Sequence, residues 1–203
     1  MSAQHYFKYR DLTNIERFID ILLRKRLYMS TYSELNDPME GVFLYDNSTR
    51  SESIEIIRDQ KRQTYICSLS RSYDNMLMWS HYANGHTGCC IEISVTSKKE
   101  DLQVRNIEYK NHKVDLNENV LDVYKVLSVK SPLWKYEDET RYFRQGKNGK
   151  HPFLKVKIYR IIFGAKVSPK KFAFYKRLVN AIDNRIVVEK MTRNNLNTGY
   201  DNT

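Results

Sequence analysis

Seven glycines and four prolines in 203 residues leave no composition for long flexible linkers. The three cysteines, Cys67, Cys89 and Cys90, are an odd number with two adjacent, a poor disulfide framework that suits a reducing compartment. No apolar run approaches the ~20 residues that cross a bilayer, and the opening MSAQHYFKYR has no apolar signal core. The expectation is a cytoplasmic protein that makes no use of a membrane. The phosphate cradles G-x-x-x-x-G-K-[ST] and G-x-G-x-x-G are missing, as is the G-x-S-x-G elbow of serine hydrolases. Acid is missing from one long stretch. Between Arg141 and Ile182 there are twelve Lys or Arg and no Asp or Glu.

That stretch alone carries +12, so the rest of the chain sums to −2 within a net charge of +10. A one-sided field of this kind attracts polyanions: nucleic acid, a phosphate-rich ligand or an acidic partner. The plain alternative is a solvated basic face. Hydrophobic residues make up 41% and charged residues 29%, so one sizeable core can form. The 15 tyrosines suit half-buried sheet faces and wet pockets, where an apolar ring carries a polar tip.

Hydrophobic periodicity gives a mixed order of strands and helices. HYFKY (5–9) reads as a strand. Thr13 is placed to cap the next helix, with Glu16 as its capping-box partner, and Ile15, Phe18, Ile19, Leu22 and Leu23 recur at helical spacing. RLYMST (26–31) reads as one strand, YSELNDPMEG (32–41) as a turn-rich loop, and 50–62 as a helix. QTYICSLS (63–70) is a strand of central character, NMLMWSHYA (75–83) a short helix, and TGCCIEISV (87–95) and VRNIEYK (104–110) are strands. ENVLDVYKVLSV (118–129) has a helical stripe, KYEDETRYF (135–143) alternates as a strand does, and FLKVKIYRIIFG (153–164) is the strongest strand pattern. Ser168-Pro169 opens a helix, and RIVVEKM (185–191) closes the order as a strand. The late strands leave no room for helical crossovers between them. This predicts an α+β fold in a single domain over 1–192, with a mixed, mainly antiparallel sheet flanked by helices. A polar tail follows at 193–203.

Three places could carry chemistry. On a strand over 135–143, period two sets Glu137, Glu139 and Arg141 on one face. Taken as pattern alone, such a row is a solvated outer face with a cross-strand ion pair. In NDPMEG, Asn36 and Asp37 can bond their own loop and Pro38 can stiffen it, which presents Glu40 from a fixed place or simply makes a turn. In LMWSHYANGHTGCCIEI, the spacing of His81, His86, Cys89 and Cys90 is not that of a zinc ribbon or finger, so no metal is expected. His81 beside Trp79 and Tyr82 suits packing or substrate positioning, and Cys89 and Cys90 read as small core residues.

FKYR, LYMSTYSELNDPMEG, ICSLS, LMWSHYANGHTGCCIEI and W-x-x-E-x-E-x-R occur in one order. This series resembles the bacterial family known as domain of unknown function 2971, over residues 6 to about 165. A looser resemblance joins it. A strand ending in KYR, a helix and then LYMST is similar to the start of ADP-ribosyltransferase folds, which place a glutamate, often within E-x-E, on a later strand.

That resemblance implies NAD as substrate. Tyr9 or Arg10 would be the first element, Ser30, Thr31 and Tyr32 the second, and Glu137-x-Glu139 the third. Glu139 would stabilise the positive charge that develops on the ribose as nicotinamide leaves, and Glu137 would orient the acceptor. Arg10 would hold pyrophosphate or ribose, and Tyr32 or Tyr28 would stack on nicotinamide. The implied NAD-binding set is completed by Asn36, Asp37, Trp79, His81, Tyr82 and Arg141. No histidine occupies the first element, and LMWSHYANGHTG has no counterpart in those transferases. The function so implied is an ADP-ribosyltransferase-like effector, in a toxin or phage-defence setting, that acts on a nucleic-acid or protein acceptor. Two alternatives stand beside it: a nuclease using His81, His86, Glu40, Asp37 and Glu92, and a basic nucleic-acid-binding module without catalysis.

Overall fold

The computed structural model describes residues 4–37, 39–44, 51–98, 102–111, 114–115, 122–146 and 152–192. In chain order its elements are β1 (Tyr6–Arg10), α1 (Ile15–Arg24), β2 (Arg26–Tyr28), β3 (Ser30–Thr31), β4 (Phe43–Leu44), α2 (Ser51–Gln63), β5 (Thr64–Ser70), α3 (Met76–Tyr82) and β6 (Cys89–Val95). There follow β7 (Gln103–Asn106), β8 (Glu108–Tyr109), β9 (Val114–Asp115), α4 (Val123–Val126), β10 (Val129–Lys130), β11 (Glu139–Gln145), β12 (Phe153–Phe163), α5 (Pro169–Ile182) and β13 (Val187–Lys190). The fold is α+β, and its strand pairing is mainly antiparallel. No helix among the described residues is long and apolar enough to cross a membrane.

The chain divides into two compact units, each assembled from separate stretches. The first takes residues 1–26, 71–95 and 156–203. Its strands run in the order β13-β12-β6-β1, with β13 parallel to β12 and the other pairs antiparallel. Cys89, Cys90, Ile91 and Ile93 of β6 are fully buried, so the paired cysteines are core residues. Burial pushes the Cys89 thiol up to about 12. Aromatic rings fill the space under α5: Phe163 stacks on Tyr175 at 5.2 Å, and Phe18 meets Tyr175 edge-on at 5.9 Å.

The second unit takes residues 27–70 and 96–155. β11 lies between β5 and β7, antiparallel to both, and β3 pairs with β5. β10 with β8 and β4 with β9 form short parallel pairs. The core joins Ile57 of α2, Ile66 of β5, Val123 and Val126 of α4 with Leu127 at its end, and Phe143 of β11.

Local chemistry explains where the elements begin, and it corrects several expectations. The cap of α1 is Asn14, whose side chain accepts from Arg17 N at 3.0 Å; Thr13 is instead bonded to Asp11. RLYMST divides into β2 and β3, because Met29 turns its amide to the Pro152 carbonyl at 3.3 Å. VRNIEYK likewise divides into β7 and β8. The loop after Thr31 contains a 3-10 turn, Tyr32–Glu34, in which the Thr31 amide donates to Glu34 at 2.7 Å. Of the helical stripe at 118–129, Val123–Val126 is helical, and residues 118–121 lie outside the described ones. The tail from 193, Pro38 and residues 147–151 also lie outside them. Ser168 caps α5 as expected, accepting from Lys171 N at 3.3 Å.

The largest correction falls on KYEDETRYF. Ser131 and Pro132 open a 3-10 turn that runs to Glu137, and Asp138 closes it in the left-handed region at φ 44. The strand begins only at Glu139. Glu137 therefore never shares a strand face with Glu139 and Arg141.

In the first unit Gly88 is held by close approach of backbone. Gly88 N donates to the Ala83 carbonyl at 2.8 Å, and its own carbonyl accepts from Gly164 N at 2.9 Å. A Cβ at Gly88 would sit inside the van der Waals radius of the Arg10 carbonyl oxygen and 2.8 Å from that of Ala83. Both neighbours are backbone and cannot rotate away. Gly88→Ala is expected to lower stability by roughly 1–3 kcal/mol, read as a fall in the urea midpoint at unchanged slope. An unchanged midpoint would show that this approach is not kept in solution.

Candidate functional site

The second unit holds a buried cluster of five charges: Glu40, Lys130, Glu137, Glu139 and Arg141. Arg141 is only 1% exposed. Its guanidinium grips Glu139 from two sides, Nε to Oε1 at 2.6 Å and Nη2 to Oε2 at 3.1 Å. Nη2 also donates to Glu40 Oε1 at 2.6 Å, and Nη1 donates to the Leu127 carbonyl at 2.7 Å. Lys130 Nζ lies 2.6 Å from Glu137, 2.9 Å from Glu40 and 3.4 Å from Glu139. The ammonium thus lies among three carboxylates. Trp134 covers it, its ring centroid 4.8 Å from Nζ. The tryptophan ahead of the acids is therefore a lid on the cation they share.

Burial alone would raise the pKa of Glu139, but Arg141 and then Lys130 pull it far below the carboxylate range, helped by a hydrogen bond from Ser68. Burial would lower Lys130 and Arg141, yet the surrounding carboxylates, Glu139 foremost, hold both above their ordinary values. Burial pushes Tyr109 up to about 12, and its hydroxyl oxygen accepts from the Glu139 amide at 3.0 Å. Among the described residues, Glu40 Oε2 is buried with no hydrogen-bond partner. The charged row is not a solvated outer face: Glu137 and Glu139 are each 4% exposed.

A second feature lies beside α2. A cavity of about 290 Å³ is lined by Tyr32, Gly41, Val42, Phe43, Arg58, Lys61 and Arg62. Arg58, Lys61 and Arg62 share one helix face at i, i+3 and i+4. Lys61 is buried, whereas Arg58 and Arg62 are exposed. The Lys61 ammonium donates to the Gly41 carbonyl at 2.6 Å and lies 4.5 Å from the Tyr32 ring and 5.5 Å from that of Phe43. Burial, and then the neighbouring Arg58, lower its pKa. Gly41 follows Glu40 directly, so one short segment borders both the cavity and the charge cluster.

The expected site residues fall into separate groups. Glu137, Glu139 and Arg141 meet as described. Ser30 and Thr31 pair with Ile66 and Tyr65, and Thr31 is bonded to Glu34, while Tyr32 lines the cavity. Asn36 is exposed, and Asp37 is buried in its own turn, accepting from Met39 N at 2.9 Å. Tyr9, Arg10, Trp79, His81 and Tyr82 belong to the first unit. There Tyr9 meets Trp79 edge-on at 5.3 Å and donates to the Ser72 carbonyl at 3.1 Å. Burial raises the pKa of Tyr9. Trp79 is fully buried, stacks on His86 at 5.9 Å and donates to the Tyr73 carbonyl at 2.7 Å. Arg10 is half-buried, His81 is exposed on α3, and Tyr82 beside it is half-buried. Among the described residues no group of three or more His, Cys, Asp or Glu is arranged to hold a metal ion. Of the nuclease candidates, Glu92 is bonded to His5 and Arg160 at 2.6 and 2.7 Å.

Sequence reasoning does not single out Lys130 or Lys61. Neither sits in a motif; Lys61 bonds the Gly41 carbonyl 20 positions away, and Lys130 joins nearby Glu137 and Glu139 to the distant Glu40. Glu40 is visible as a residue held by a fixed loop, but its bond to Arg141 spans 101 positions. No protein-family model, curated protein or solved structure matches the chain.

The cluster bears on stability in two ways. Glu139→Gln removes one carboxylate from two buried cations, so it is expected to cost about 3–5 kcal/mol in urea unfolding. The pH dependence has a definite sign. The folded pKa of Glu139 is depressed below its ordinary 4.5, so its contribution is full above that value and is lost as pH falls below it. The urea midpoint of the native chain should therefore fall steadily as pH drops from 5 to 3, and that of Glu139→Gln should fall less. Equal slopes for the two would separate Glu139 from the acid sensitivity.

Proposed function

We propose that the chain recognises a phosphate-bearing ligand with a flat ring, of the nucleotide class, in the cavity beside α2. The observation that carries this is the convergence of three cations and two aromatic rings on one cavity. Phosphate oxygens suit the guanidinium forks of Arg58 and Arg62 at the exposed rim, in exchange for their solvent-exposed pairs with Glu55 and Asp59. A planar ring suits Tyr32 and Phe43. Lys61 supplies the energetic reason. Its charge is opposed by burial and by Arg58, and an anion in the cavity would relieve both. The volume sits at the lower end of small-ligand clefts, which start at roughly 300 Å³.

NAD, the substrate implied by the resemblance to ADP-ribosyltransferases, is a member of this ligand class. Tyr32 is the residue common to that reading and to the cavity. The transferase reading adds one demand. A carboxylate must reach the ribose as positive charge develops there. Glu139 has both oxygens bonded to Arg141 and Lys130 in a sealed site, so it serves that role only if the cluster opens. Binding is the part of the reading that the geometry supports directly.

The test is calorimetric titration of the native protein with NAD, ADP-ribose and AMP, with nicotinamide release followed in parallel. Binding that weakens about tenfold or more in Arg58→Glu and Arg62→Glu is expected, as for removal of a charge-assisted bond. Both residues are exposed, so the fold should be kept. Absence of heat with all three ligands would sink the proposal. Nicotinamide release decides separately whether turnover accompanies binding. Glu139→Gln alone cannot decide that, because the same substitution strains the buried cluster.

A further inference from the structure

Several basic side chains of the described surface are paired with an acid. Arg24 and Arg26 bond Asp20, Arg58 bonds Glu55, Arg62 bonds Asp59, and Arg160 bonds Glu92 and Glu189. Helix α5 gathers several cations with no such pairing on one element. It contains no acidic residue over Pro169–Ile182, and its Lys170, Lys171, Lys176 and Arg177 are all exposed. None of the four has an acidic partner among the described residues. Lys170 and Lys171 also stand in the first turn, where the helix dipole opposes positive charge and favours an anion.

In the middle of these cations stands Phe174, 58% exposed. Helical geometry makes Lys170, Lys171 and Arg177 its surface neighbours, at i−4, i−3 and i+3. The other side of the helix is fixed inward, since Tyr175 and Val179 are buried and Tyr175 stacks on Phe163. Phe174 therefore cannot turn into the core without undoing that packing. One exposed ring encircled by unneutralised cations is a combination that costs stability twice, by apolar exposure and by like-charge repulsion.

We propose that this face of α5 binds single-stranded nucleic acid, with Phe174 stacking on an unpaired base and Lys170, Lys171 and Arg177 holding the flanking phosphates. A strand of unpaired nucleotides relieves both costs at once, because it brings phosphates and open base faces at close spacing. A duplex keeps its base faces covered, so it offers Phe174 nothing. A membrane surface asks for a stripe of large apolar residues, and among the described residues of α5 Phe174 alone is a large, exposed apolar side chain. An acidic protein would use the cations and leave the ring idle. The reading involves a different unit and different residues from the α2 cavity, and it stands or falls independently of it.

The test is fluorescence anisotropy of the full chain with labelled 20-nucleotide dT and U strands, from 50 to 200 mM salt. Phe174→Ala is expected to weaken binding about tenfold, the lower part of the range for removing one stacked ring, with the salt slope kept. Phe174→Tyr should retain binding. Lys170→Gln with Arg177→Gln should weaken binding and reduce the magnitude of the slope, by about 0.7 for each phosphate no longer neutralised. The substituted side chains are exposed, and helix content by circular dichroism should match the native chain in every variant. The proposal is overturned by absence of strand binding or by Phe174→Ala binding as tightly as the native chain. Equal affinity for a 20-base-pair duplex overturns it too, as does Phe174-dependent binding to phosphatidylserine vesicles with none to the strands.

Discussion

The second unit depends on how Arg141 is held. Its guanidinium lies on β11, between β5 and β7, and is almost completely buried. A charge in that place must be answered on every side. Glu139 answers from the same strand face, Glu40 from a loop 101 residues earlier, and the Leu127 carbonyl from the end of α4. These bonds tie two other stretches, the Glu40 loop and the end of α4, to one strand. Lys130 repeats the arrangement from β10, sharing Glu40 and Glu139 and adding Glu137. Breaking any one of them leaves a buried charge partly unanswered, which is why the cluster acts as a single structural element.

Three different fates of a cation appear in one chain. Arg141 and Lys130 are buried and surrounded by carboxylates, which hold them charged. Lys61 is buried among rings beside another cation, with a carbonyl as its hydrogen-bond acceptor, and its charge is correspondingly less favoured. The α5 cations are solvated and have no acidic partner among the described residues. Interior placement with acids makes structure; placement beside a cavity or around an exposed ring leaves capacity for an anion from outside. This ordering also revises the uniform basic stretch from Arg141 to Ile182. Arg141 itself is neutralised internally, Arg160 is paired twice, and Arg144 donates to the Phe153 carbonyl at 3.4 Å. Among the described residues of that stretch, what remains for a polyanion is Lys170, Lys171, Lys176 and Arg177 on α5, together with the exposed Lys155, Lys157 and Lys166.

Much of the fold was legible in the residues. The strand over 153–163, the helix opened by Ser168-Pro169, the central character of β5 and the burial of Cys89 and Cys90 all follow from local pattern and apolar content, and the structure has them. Asn14 in place of Thr13 as a cap is a near choice between adjacent residues with the same chemistry. KYEDETRYF misleads for a physical reason. Its alternation of charge and ring is compatible with a strand, but Ser131-Pro132 favours a turn that continues to a left-handed Asp138. Turn chemistry wins over period two until Glu139, where period two resumes.

The sequence by itself determined the α+β class, the run of elements, the polar and apolar faces of the long strands and helices, and the imbalance of charge along the chain. These are properties of neighbours within a few positions, where spacing and side-chain type act directly. Only the tertiary structure decided which charges are neutralised. A glutamate and an arginine 101 positions apart give no local sign of each other. Period two set Glu139 and Arg141 on one face but did not say whether water or protein would cover it. The same holds for Lys61 beside Tyr32 and Phe43. Burial and partnership are set by what the rest of the chain brings to a residue.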